Sequence, residues 1–148
     1  MKKILLLVTV LVLSFSSLCF ASNGSQLDQE EKMAANLIAA MNGAGEYAEV
    51  SKDFSTGLTK NLSAAKFSDL QKKVKEQIGN IAEQKLLVLQ KYDKADRLVY
   101  LAKGRKVQNV EVSLVFETAG KKPLINEVSI RPVEIKKQDN AKQVETKK

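Results

Sequence analysis

The 148-residue chain contains no histidine and no tryptophan, a single cysteine, two prolines and only three arginines. Each shortage closes off a class of chemistry. Without an imidazole there is no histidine-dependent triad, no histidine proton shuttle and no ordinary zinc site. The one cysteine, Cys19, lies in an apolar N-terminal segment, so the chain that remains after removal of that segment has no thiol for a disulfide, a nucleophile or a thiolate metal centre. No glycine-rich loop offers backbone amides to a phosphate, and neither a metal nor a cofactor is expected. Arginine is confined to Arg97, Arg105 and Arg131, and no aromatics are interleaved with basic residues, which points away from nucleic acid. Carboxylates, lysines and tyrosines are still able to do acid–base work. The absences nonetheless argue more for a binding protein than for an enzyme.

What is present begins with an address. Lys2 and Lys3 precede an almost unbroken apolar run from Ile4 to Leu13, and Cys19-Phe20-Ala21 leaves small residues at −3 and −1 before Ser22. This is the layout of a secretory signal peptide, with cleavage expected after Ala21 and an extracytoplasmic location, periplasmic or secreted. The apolar run is short for a membrane anchor, which takes about 20 apolar residues. A lipidated Cys19 is disfavoured because Leu18, not a small residue, precedes it. Loss of Lys2 and Lys3 takes the net charge from +7 to +5. Residues 136–148 carry five lysines against Asp139 and Glu145, so the body is only mildly basic. That tail reads as a solvated, disordered segment with at most weak contact to an anionic membrane surface.

The chain thus divides into a signal peptide (1–21), a polar leader (22–29), one domain (30–135) and a basic tail (136–148). Asp28 to Asn42 reads as a helix, with Asp28, Glu30 and Glu31 in its first turn, where the macrodipole favours negative charge, and Met33, Leu37, Ile38 and Met41 at helical spacing. Gly43 stops it. A second helix is expected from Glu46, with Tyr47, Val50, Phe54 and Leu58 on one side. Ser63 reads as the N-cap of a third, whose apolar positions are Ala64, Phe67, Leu70, Val74 and Ile78 and whose wet side carries Lys72, Lys73 and Lys75. Beyond Gly79 the period changes from helical to alternating. Strands are expected over Lys85–Tyr92, Arg97–Lys103, Val107–Thr118 and Leu124–Ile135. Val110, Val112, Leu114 and Phe116 point inward, and Glu111, Ser113, Val115 and Glu117 outward. Helices followed by hairpin-linked strands make an α+β domain with helices on one face of an antiparallel sheet.

The helix of Met33 to Met41, Gly43-x-Gly45-Glu46-Tyr47-Ala48, Phe54, Leu58, the run Phe67 to Gly79 and the strands around Arg97–Leu101, Val110–Glu117 and Leu124–Ile130 resemble small bacterial NTF2-like domains, and among them the DUF3887 family. The resemblance spans roughly residues 30–131. It implies a cone, in which about three N-terminal helices pack on the concave face of a curved antiparallel sheet of about four strands. Some relatives with this cone are isomerases, dehydratases or cyclases, and others bind ligands or dimerise through the sheet. Those that do acid–base chemistry place an Asp or His inside. Here there is no His, and the inward strand positions read as almost all aliphatic, which points away from catalysis.

Tyr47, Phe54, Phe67, Tyr92, Tyr100 and Phe116 are all the aromatics after the leader. They are the candidate lining of a pocket for a small apolar ligand, and their plainer reading is core. Tyr100 is the one whose hydroxyl needs a partner if buried. Glu111, Glu117, Glu127 and Arg131 fall on the outer sheet face with Val99, Leu101 and Val115, a mixture that suggests a homodimer or a protein partner on that face. The function expected is a secreted, non-enzymatic binding or interaction module. The alternative is an isomerase- or hydratase-type enzyme using a carboxylate, Glu83 or Asp96, with Tyr100 or Tyr92.

Overall fold

The computed structural model describes residues 24–134. The expected signal peptide and basic tail lie outside the described residues. Helix α1 covers residues 24–41. Its apolar stripe, Ala34, Leu37, Ile38 and Met41, is buried, as the helical spacing required. The helix takes in residues 24–27, read from sequence as leader. Tertiary contacts carry it there: Leu27 packs against the core and Gln26 hydrogen-bonds to the sheet.

The second expected helix is broken into three pieces. Helix α2 is Tyr47–Val50, headed by a reciprocal capping box between Glu46 and Glu49. A 3-10 turn over Ser51–Asp53 follows, and then Phe54 is extended and bridges Ile125. The Ser55 amide donates to the Ile125 carbonyl at 2.8 Å. The Ser55 hydroxyl accepts from the Leu58 amide and so starts α3, Thr56–Asn61. Pairing with the sheet, which hydrophobic spacing does not encode, interrupts the helix. Helix α4, Ala64–Gln77, has the expected Ser63 cap and buries Phe67 and Val74. It ends at Gly79, whose φ of +79° is open to glycine without strain and whose amide donates to the Val74 carbonyl. A β-carbon there would also lie 2.9 Å from that of Arg105.

Four strands form one curved antiparallel sheet in chain order: β1 Ile81–Lys91, β2 Ala95–Gly104, β3 Val110–Glu117 and β4 Leu124–Pro132. The domain is therefore α+β. β1 starts four residues before the sequence expectation because the Asn42 side chain clamps Ile81, donating to its carbonyl and accepting from its amide at 2.8 Å each. The core lies between helices and sheet, with Leu98, Val110, Val112, Leu114 and Phe116 fully buried. The Gln26–Asp96 hydrogen bond at one end of α1, and the Asn42–Ile81 clamp beside Gly104 at the other, lay α1 along β2.

Candidate functional site

Along that helix–strand contact two acidic residues are buried. Glu30 is 0 % exposed and Asp96 3 %. Asp96 is on the helix-facing side of β2 because its spacing from Leu98 and Tyr100 is even. Glu30 reaches the same space because it belongs to the second turn of α1, one turn on from Gln26. The Gln26 amide joins them, donating from Nε2 to Glu30 Oε1 at 3.0 Å and to Asp96 Oδ2 at 3.1 Å. Lys91 Nζ, half-exposed, donates to the same Asp96 oxygen at 3.2 Å. Burial pushes the Glu30 carboxyl above the usual carboxylate range. The charge of Asp96, and a hydrogen bond shared with it, add to the rise against the opposing pull of Gln26 and Lys91. Within the pair, Asp96 has the ammonium partner and Glu30 is the member driven toward its neutral, proton-donating form.

Tyr100, 6 % exposed, is four residues further along the same face of β2, beyond Leu98. Burial, with the charges of Glu31 and Glu30, pushes its phenol up to about 12. Among the described residues the Tyr100 hydroxyl is buried with no hydrogen-bond partner, and Glu30 Oε2 has none unless the carboxyl is protonated and shares its proton with Asp96. Such atoms are rare because each carries an uncompensated desolvation cost of about 1–3 kcal/mol.

The six aromatics do not form one lining. Tyr47 sits edge-on to Phe54 and Phe67, at ring separations of 6.1 and 5.6 Å, and its hydroxyl donates to the Leu62 carbonyl at 2.8 Å. These three, with buried Phe116, belong to the core. Tyr92 is 58 % exposed on the turn after β1, so it lines no interior. It falls outside the sheet because the hairpin turns at residues 92–94. Tyr100 stands on the same face of β2 as Asp96, and Phe116 lies directly across from Asp96 on β3. Of the two carboxylates singled out from sequence, Glu83 is exposed and ion-paired with Lys103, while Asp96 is interior.

Glu30 was missed. It sits among Gln29, Glu31 and Lys32 and reads as one of the charges at the head of a helix, yet four positions on come Ala34 and then Ile38, both buried. That i, i+4, i+8 alignment is the signal that places Glu30 on the core stripe.

Three clefts, of about 170, 270 and 470 Å³, lie elsewhere, the first beside Asn42 and Lys75, the second beside Glu49 and Asp53 and the third over residues 103–109. Among the described residues no group of acidic, histidine or cysteine side chains is arranged to hold a metal ion. No described helix is long and apolar enough to cross a membrane. The outer sheet face carries the Arg131–Glu111 ion pair at 2.7 Å and the Arg97–Ser113 hydrogen bond at 3.2 Å. Compared with known proteins, the chain matches no protein-family model, no curated protein and no solved structure.

Proposed function

We propose that this chain is an extracytoplasmic, NTF2-like binding module whose ligand is a small apolar molecule bearing one carbonyl or hydroxyl group, held between α1 and β2. The observation that carries this reading is the unpartnered Tyr100 hydroxyl, buried in the apolar core on the strand face that carries Asp96. The Tyr100 phenol is a donor, and a ligand oxygen satisfies it. The signal-peptide pattern supports the location, and the lack of imidazole and thiol supports binding without turnover.

A second reading is favoured by the raised pKa of Glu30. With Tyr100 polarising a ketone oxygen, a carboxylate at Glu30 moves a proton at the adjacent carbon, as in an isomerase or hydratase. Titration of the protein with 2-octanone and 1-octanol, followed by nuclear magnetic resonance, separates the readings. Binding that shifts the Tyr100 ring signals and is lost in Tyr100→Phe supports the proposal. No binding at millimolar ligand, or binding indifferent to Tyr100→Phe, overturns it. Conversion of 2-cyclohexenone that disappears in Glu30→Gln moves the protein to the second reading.

A further inference from the structure

The two edges of the sheet are unequal. β4 is guarded: its start is paired with Phe54 and Ser55, and its end is Pro132, which has no amide to offer. β1 is eleven residues long, has no strand beyond it among the described residues, and exposes Leu87 by 54 %, Val88 by 40 % and Leu89 by 37 %. Long apolar edges of this kind invite another strand. A lipid surface covers the side chains but leaves the row of edge amides and carbonyls without partners, which is costly in an apolar medium. A strand satisfies both.

The pattern of β1 says which strand. From Lys85 to Gln90 the order is Lys-Leu-Leu-Val-Leu-Gln, polar at both ends and apolar within, symmetric about the bond between Leu87 and Val88. In a regular strand such a centre is useless for self-pairing, because adjacent residues point to opposite faces. Here the register shift between Leu86 and Val88 breaks the alternation. Leu86 opposes Tyr100 and Leu89 opposes Leu98, so both face the helices; Lys85 opposes Leu101, Val88 opposes Val99 and Gln90 opposes Arg97, so these three face the other side. A two-fold axis at that centre sets Leu86 against Leu89 of the second copy and Lys85 against its Gln90, same face to same face and with no lysine opposing a lysine.

We propose that β1 pairs antiparallel with β1 of a second copy, making one continuous eight-stranded sheet. Because β4 is guarded, the assembly closes as a dimer and does not grow into a filament. It is independent of the ligand reading above. Edge pairing alone buries less than a standard interface of about 1,600 Å², so the dissociation constant falls in the micromolar range.

Sedimentation equilibrium between about 1 and 300 µM, the span in which so small an interface titrates, is expected to show monomer passing to dimer. Leu87→Lys, at an exposed position, is expected to weaken the dimer at least tenfold with an unchanged circular-dichroism melt. The register is read by the double variant Lys85→Cys/Gln90→Cys in a Cys19→Ser background: mild oxidation is expected to give a covalent dimer, and Lys85→Cys alone is not. A monomer throughout overturns the proposal. So does a dimer that survives Leu87→Lys but is broken by Val115→Lys, which assigns pairing to the outer face. So does a monomer that binds anionic vesicles through Leu87.

Discussion

The domain has one half-buried and one buried tyrosine whose surroundings differ. Tyr47 packs edge-on against Phe54 and Phe67 and gives its proton to the Leu62 carbonyl. Tyr100, more deeply enclosed, gives its proton to none of the described residues. At the first site apolar contact and hydrogen bonding agree, which is how a core gains stability. At the second they conflict: apolar packing holds a hydroxyl away from water without replacing what water supplied. The first region holds the fold together. The second stores a cost that a bound oxygen would relieve, and this contrast, more than the presence of aromatic rings, distinguishes core from candidate site.

The largest expected effect tests the first region. Phe67→Ala removes a fully buried ring and its edge-on contact with Tyr47, and is expected to cost about 3–5 kcal/mol. Domains of this size have about 5–15 kcal/mol in all, so chemical denaturation will find the variant barely folded. A loss under about 1 kcal/mol would mean that the aromatic cluster is not the structural end of the interior.

The second region is broken by changing its charge. Glu30 has a carboxyl pKa raised in the folded chain, so the folded state holds the proton more tightly than the unfolded state does. Stability is then greatest below the unfolded value of 4.5 and falls as pH rises from there toward the raised folded value. Glu30→Gln keeps the shape, offers Asp96 a permanent donor and cannot ionise. It is expected to raise stability at neutral pH by about 1–2 kcal/mol and to flatten that part of the pH profile. Urea denaturation from pH 4 to 8 reads both. A variant less stable than the parent at pH 7 would show that the charge of Glu30 is satisfied in the fold.

The same contrast explains what was legible in sequence. Helix α4 was readable from Ser63 to Gly79 because cap, stripe and stop all agree locally. The β3 face was readable from alternation alone. Helix α2 was not, since Phe54 continues a helical stripe that only its pairing with Ile125 interrupts. The site was half legible. Tyr100 and Asp96 stand at alternating positions of one strand, but Tyr92 stands at another and is in solvent, because the turn that ends β1 intervenes. Glu30 belongs to a run of polar residues whose local meaning is a helix start. Its burial follows from four upstream residues joining the helix, and from Gln26 finding Asp96 across the fold. Contacts 70 residues apart leave no trace in local spacing.

The smallest effects come from removing one oxygen at each tyrosine, and they differ in sign. Tyr47→Phe leaves the half-buried Leu62 carbonyl without its donor and is expected to destabilise by about 1 kcal/mol. Tyr100→Phe removes a buried hydroxyl that has no partner to strand, and is expected to be neutral or to stabilise by up to about 1 kcal/mol. A second consequence follows at high pH. With its phenol pushed up to about 12 from an ordinary 10.0, Tyr100 holds its proton more tightly in the folded state. The parent should therefore lose stability between those two values, while Tyr100→Phe should lose less. Paired melts of the three proteins at pH 7 and pH 11 decide the matter. If both substitutions destabilise alike at pH 7, the Tyr100 hydroxyl has a partner in solution, and the difference between the two regions disappears.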